Sequence, residues 1–198
     1  MKKFELTTEF ITNAFGKKLF RIKALVEFGD VKAGELGGYV EKEENVSQDG
    51  NAWVSGDARV YGNAWVHGNA KVYDDAWVSD NAKVFDNAEV YGNARVSGDA
   101  RVSGDAWVSG NARVSGNAWV YGDADYALVQ GFGTEFRCTT FYRGKNKKIM
   151  VNCGCFHGDL EGFRKQVKET RNGKIAKEYL MIADLMEYHF TSEDSSDE

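Results

Sequence analysis

Proline is missing from all 198 residues, where average usage of about 5% would place roughly ten. Such a chain keeps its backbone N–H groups free to donate, as a continuous hydrogen-bonded ladder requires. Cysteine is scarce and odd in number, at three. No apolar stretch of secretion type follows Met1-Lys2-Lys3-Phe4-Glu5-Leu6. Together these argue against a disulfide framework and for a reducing, cytoplasmic setting. No apolar run approaches the roughly 20 residues of a membrane helix, which argues against membrane insertion. A composition of 42% hydrophobic and 13% aromatic residues is that of a chain with a core. Strong charge is also lacking over most of the chain. The net charge is −5, but residues 191–198 alone hold four acids and no base. Those eight residues read as a disordered acidic tail. The rest is close to neutral, so overall charge gives no argument for nucleic acid or membrane as a partner.

What is abundant is glycine, 22 residues, and a repeat of six. From Asn51 to Gly122 the chain reads Asn/Asp, Ala, variable, Val, variable, Gly/Asp, in twelve uninterrupted copies. Ala and Val at i and i+2 point to one side of a strand, and the variable residues to the other. The Gly/Asp–Asn/Asp pair is turn chemistry that tolerates positive φ. Each hexad is therefore a short strand and a corner, three hexads close a triangle, and stacked triangles make a parallel β-helix with an Ala/Val interior. A period of five, which would give a square coil, does not fit.

Stacking places every eighteenth residue in one column. The first variable position yields Trp53, Lys71, Glu89, Trp107; then Arg59, Trp77, Arg95, Arg113; then Trp65, Lys83, Arg101, Trp119. The second yields Ser55, Tyr73, Tyr91, Ser109; then Tyr61, Ser79, Ser97, Ser115; then His67, Phe85, Ser103, Tyr121. All five Trp are expected on the outside, and four lie one coil from a Lys or Arg. Trp53, Trp65, Trp77, Trp107, Trp119, Arg59, Arg95, Arg101, Arg113, Tyr73 and Tyr91 are the candidate binding residues, because exposed Trp, Tyr and Arg make interaction hot spots. The competing reading is that they simply cover the sides of the prism. Base stacking by Trp and Arg would suit single-stranded nucleic acid, but corner aspartates such as Asp57, Asp74, Asp80 and Asp99 repel phosphate, and nucleic acid is disfavoured.

The ends differ from the middle. Residues 1–50 read as a β-rich cap, with strands over 4–11 and 19–28. The helix proper spans 51–126. Residues 127–190 read as a ββαα module: a hairpin over 136–142 and 148–156, one short helix marked by Leu160, Phe163 and Val167, and a second marked by Ile175, Tyr179, Ile182, Ala183, Met186 and Phe190. Asn172-Gly173 separates the two helices.

The hexads, in the form Val54-Ser55-Gly56-Asp57-Ala58-Arg59, resemble those of the hexapeptide-repeat left-handed β-helix family. Left-handedness is implied by that resemblance. Gly29-Asp30-Val31-Lys32-Ala33-Gly34 with Gly37-Gly38-Tyr39-Val40, and Val151-Asn152-Cys153-Gly154-Cys155-Phe156 with Ala176-Lys177-Glu178-Tyr179-Leu180, are similar to bacterial and prophage-encoded β-helix proteins of unassigned function. Phage origin would imply a place in the host cytoplasm and a role in blocking or sequestering a host defence protein or its nucleotide signal. The family also contains acyltransferases using acetyl-CoA, which place a catalytic His between subunits. His67 is the one His of the coils, and no inserted loop accompanies it. A γ-type carbonic anhydrase would need three zinc-binding His, and His67, His157 and His189 lie in separate segments. Cys153, Cys155 and His157 alternate along an expected strand, with Cys138 on its partner, which makes them a candidate metal set against the alternative of small residues packed under the helices. No Walker loop, GxSxG elbow or HExxH is present. The expectation is a non-enzymatic binding protein without cofactor, self-associating as a dimer or trimer and taking an unidentified protein or small nucleotide ligand. An acyltransferase and a polymer-forming structural protein of bactofilin type are the alternatives.

Overall fold

A computed structural model describes residues 2–122, 125–133, 135, 137–145 and 147–191. It has two compact units, Met1–Asp123 and Ala124–Glu198. The acidic tail lies outside the described residues, except for Thr191, which ends a helix.

The first unit is a parallel β-solenoid. Twelve two-residue strands, β4 (Trp53–Val54) to β15 (Trp119–Val120), fall into three parallel columns of four, which makes the coil triangular. Alternate N–H groups donate to carbonyls one coil later, as in Trp65 N to Ala82 O at 2.9 Å and Lys83 N to Ala100 O at 2.9 Å. Every Ala and Val of the hexads is buried, at 0–1% exposure. Corner residues have positive φ, mostly Gly but also Asp74, Asp80 and Asp86 at 58–61°. These three aspartates occupy one coil, and each carboxylate accepts the N–H of the Gly above it, at 3.0–3.2 Å. Side-chain ladders run up two corners: Asn51 to Asn69 to Asn87 to Asp105, and Asn63 to Asn81 to Asp99, with amide donors 3.0–3.2 Å from the next oxygen. Each ladder ends on a carboxylate, which accepts without needing to donate.

The solenoid begins earlier than the hexads do. Strand β2 (Lys18–Ala24) pairs antiparallel with both β1 (Phe4–Thr12) and β3 (Leu36–Val40), and β3 then pairs in parallel with β5 (Arg59–Val60), with Tyr39 beside Arg59 and Val40 beside Val60. Val46 bridges Val66. This extra turn is offset by twenty residues, not eighteen, because Val46 and Val54 are eight apart. Gly38 sits where a hexad has Ala, and it must be Gly: a Cβ there would lie 2.7 Å from Ala58 O and 2.8 Å from Val54 Cγ1.

This extra turn meets the carbonyl edge of the first coil. Where backbone donors are missing, side chains replace them. Asn45 Nδ2 donates to Ala64 O at 2.8 Å and Gly62 O at 3.2 Å. The buried Lys3 ammonium donates to Ala52 O at 2.9 Å and Gly50 O at 3.2 Å, under the Phe28 ring. Burial lowers the Lys3 pKa to about 8, with Asp49 opposing the shift.

Among the described residues the second unit has four antiparallel strands, not the expected two: β16 (Tyr126–Phe132), β17 (Arg137–Arg143), β18 (Ile149–Cys153) and β19 (Phe156–Asp159). The expected hairpin start, Phe136, lies outside the described residues. Its second strand is broken by a turn at Gly154, φ 62°, which sends β19 back along β18. Helices α1 (Leu160–Thr170) and α2 (Gly173–Thr191) cover the sheet with the expected residues: Leu160, Phe163, Val167, Tyr179, Ile182, Ala183, Met186 and Phe190 are buried, and Ile175 is half-buried against them. Asp159 caps α1 by accepting from Gly162 N at 2.9 Å. Arg164 of α1 joins the helices through Asp184 and Glu187 of α2 at 2.7–2.8 Å and pairs with Glu161 on its own helix at 2.8 Å. Among the described residues, no helix is long and apolar enough to cross a membrane.

Two substitutions test this architecture. Val84→Asp places an unpaired charge in a fully buried site and should cost more than about 4 kcal/mol, read as loss of the cooperative urea transition. Asn45→Ala should cost about 1–3 kcal/mol by stranding two edge carbonyls while leaving the circular dichroism spectrum intact.

Candidate interaction face

The registers reproduce all three expected columns: Trp53–Lys71–Glu89–Trp107, Arg59–Trp77–Arg95–Arg113 and Trp65–Lys83–Arg101–Trp119. They do not make three equivalent faces.

On the first face, Trp53 is not an exposed contact residue. It is 5% exposed, its ring held edge-on by Phe4 and Phe28, because β1 and the loop after β2 fold over it. Lys71, next in the column, pairs with Asp30 at 3.1 Å. Above them, Tyr73 and Tyr91 stack in parallel at 4.9 Å, and the Tyr73 hydroxyl donates to Glu89 at 2.8 Å. Burial and Glu89 together push the Tyr73 pKa up. Trp107, at the far end, is 53% exposed.

On the third face His67 is part of a ring stack. Trp65 lies 3.9 Å from it, and Phe85 lies parallel at 5.0 Å on the next coil. Lys83 sits over Trp65 at 5.8 Å, and Arg101 over Trp119 at 5.3 Å. Burial lowers the His67 pKa, Lys83 adds to the shift and Asp86 opposes it. A neutral imidazole clamped between rings is a ladder residue in geometry; a general base needs an orienting partner and a substrate pocket.

The second face is the most regular. Arg59 and Arg95 sandwich the Trp77 ring at 5.0 and 4.3 Å, and Arg113 follows Arg95 in register. The series continues downward through residues the period of six could not flag. Tyr39 precedes Arg59, and Arg21 of β2 lies over the Tyr39 ring at 5.2 Å. Arg21 is anchored by Glu9 at 3.1 Å and by the Tyr39 hydroxyl at 3.0 Å. The Gly38-Tyr39-Val40 triplet, a small–variable–Val echo of the hexad, was the available signal. An alternation of cation and ring thus runs from Arg21 to Arg95, on one seven-stranded sheet. It passes from buried Tyr39, through half-buried Arg59 and Trp77, to exposed Arg95 and Arg113.

In the second unit, the turn at Gly154 breaks the alternation expected of Cys153, Cys155 and His157. Cys155 lies exposed on that turn, half-buried Cys153 accepts the Thr139 hydroxyl at 3.1 Å, and His157 Nδ1 meets Asn152 Oδ1 at 2.7 Å; Cys138 is half-buried on β17. Among the described residues no three His, Cys, Asp or Glu are grouped to hold a metal.

The His67 stack has a pH signature. Its folded-state pKa lies below the usual 6.5, so the unfolded chain takes up the proton first as pH falls, and stability is lost downward from about pH 6.5. His67→Phe should keep the stack and shrink the drop in urea midpoint between about pH 7.5 and pH 5. An unchanged drop would remove His67 from the acid response.

The repeat model described as YdcK beta solenoid repeat matches residues 52–68, 88–104, 94–110 and 106–122. Among curated proteins, none matches the chain. The matched segments coincide with the stacked hexads, and the chain is a β-solenoid repeat protein.

Proposed function

We propose that this chain is a non-enzymatic binding scaffold, and that its second face is the contact surface, first of all for a second copy of the chain. The observation that carries this reading is the Arg–aromatic alternation ending in exposed Arg95 and Arg113, with no acidic side chain in the column. The column lies on a sheet of parallel strands, which suits a macromolecular surface better than a small molecule. Trp and Arg at the centre of a patch supply most binding energy, and a carboxylate-bearing partner would complement them. A second copy offers such groups at its corners, where Asp57, Asp74 and Asp75 are exposed. A dimer or trimer built this way, and capture of a host component by a phage-type protein, both belong to this reading.

The alternatives find less support. Acyl transfer would need His67 as a base, and His67 is stacked between rings. End-to-end polymerisation needs an open coil edge, and the N-terminal edge is covered by β3, Asn45 and Lys3.

Sedimentation velocity across a concentration series tests the proposal. The wild type should associate. Trp77→Ala and Arg113→Glu should each keep the circular dichroism spectrum and weaken association at least tenfold, about 1.4 kcal/mol. A monomeric wild type, or unchanged sedimentation in both variants, would overturn self-association through this face.

A further inference from the structure

The second unit holds a cavity of about 230 Å³, room for about seven or eight waters at roughly 30 Å³ each. Four parts of the fold converge on it. Strand β17 brings Arg137, the turn between β18 and β19 brings Cys155, the C-terminal end of α1 brings Arg171, and α2 brings Tyr179. Arg137, Cys155 and Arg171 are exposed, so a ligand in the cavity can reach them.

The two guanidiniums are distinguished by what they lack. The other arginines of this unit are paired, Arg143 with Asp125 at 2.8 Å and Arg164 with three carboxylates at 2.7–2.8 Å. Among the described residues no carboxylate pairs with Arg137 or Arg171, although Glu135 lines the same cavity. Arg171 donates to Thr170 O at 3.2 Å, which uses one of its five donors. Two cations around one concavity repel each other until an anion joins them.

The cavity is also built around these groups. Gly154 has φ 62°, and a Cβ there would run into the Arg137 side chain, with Cδ at 3.2 Å and Cζ at 3.3 Å. Gly133 has φ 73°, and a Cβ there would strike the Tyr179 ring, whose hydroxyl donates to Phe132 O at 3.2 Å. Burial raises the Tyr179 pKa and Cys153 adds to the rise, while Arg171 and Arg137 oppose it. Both cations therefore act on the same point of the cavity wall.

The lining narrows the class of ligand. A guanidinium is a planar fork that matches a carboxylate in two parallel hydrogen bonds. Glu135 repels a phosphate dianion more strongly than a monoanion. Half-buried Phe156, beside the exposed Cys155, offers apolar surface to a small carbon skeleton.

We propose that this cavity binds a small organic monocarboxylate, its carboxylate held between Arg137 and Arg171 and its carbon skeleton against Phe156. The site is separate from the Arg–aromatic column, so its failure leaves the self-association reading standing.

The test uses the full chain labelled with nitrogen-15, following the assigned amide peaks of Gly154 and Cys155. Phenylacetate and 3-methylbutanoate are titrated to about 50 mM at constant ionic strength, with 2-phenylethanol and inorganic phosphate as separate arms. The expected result is a saturable shift of both peaks with at least one of the two acids, and none with 2-phenylethanol. Arg137→Gln and Arg171→Gln, changes at exposed positions, should keep the circular dichroism spectrum and each weaken binding at least fivefold. Four outcomes overturn the proposal: no saturable shift with either acid, a response confined to phosphate, a saturable response to 2-phenylethanol as strong as that to phenylacetate, or unchanged acid affinity in either arginine variant.

Discussion

Everything in the first unit hangs on one interaction, the backbone hydrogen bond from each coil to the next. Arg101 N to Ala118 O at 2.9 Å repeats what Lys83 N to Ala100 O does a coil below. Trp65 N to Ala82 O and His67 N to Val84 O place the acceptor on the later coil, while the parallel register of Trp65 with Lys83 and Val66 with Val84 sets the reverse rung between them, so N–H and carbonyl groups alternate along each strand edge. Proline would remove a rung, which accounts for its absence. On the first coil this alternation leaves a row of carbonyls that no preceding hexad meets, Ala52 O and Ala64 O among them, and an open strand edge invites pairing with other chains. The N-terminal cap answers that row in kind, with backbone donors from β3 where they fit and with Asn45 and the buried Lys3 ammonium where they do not.

The same ladder turns sequence period into chemistry. Because coils stack in register, a residue's neighbours are those one coil away, and like residues form columns. Inside, Ala and Val fill a narrow triangular core. At two corners, Asn amides donate upward until an Asp ends the series. Outside, rings pair with cations, as in Trp77 between two arginines, and with other rings, as in His67 against Trp65 and Phe85. Each such contact is worth only about 0.5–1 kcal/mol at an exposed site. Their repetition nonetheless immobilises long side chains in advance, which lowers the entropic cost of presenting them to a partner.

The second face presents a flat, ordered side, and the first face a small roofed space. The exposed end of the Arg–aromatic column has area and charge but no depth. The space under the Gly29–Glu35 loop has depth, and the Trp53 indole beneath it is packed against Phe4 and Phe28. The cap creates the second while extending the first, since β2 and β3 lengthen the column with Arg21 and Tyr39, and the loop between them roofs Trp53.

The hexad alone determined the triangular coil, the Ala/Val core, the corner conformations and the vertical columns, because a strict period leaves one register that buries every Val. The helical residues of the second unit were equally legible, since Leu160, Phe163 and Val167 and then Tyr179, Ile182 and Met186 follow the helical spacing. Only the tertiary structure decided what lies over a column. Trp53 reads like every other Trp of the repeat, yet β1 and a distant loop bury it. Tyr39 and Arg21 join the column through an offset of twenty and an antiparallel pairing, neither of which a period of eighteen encodes. Cys155 leaves the strand of Cys153 because a glycine between them adopts positive φ. Periodicity fixes contacts between residues that repeat; contacts made by unrepeated segments depend on where the folded chain brings them, and the Arg–aromatic column draws on such segments at Tyr39 and Arg21.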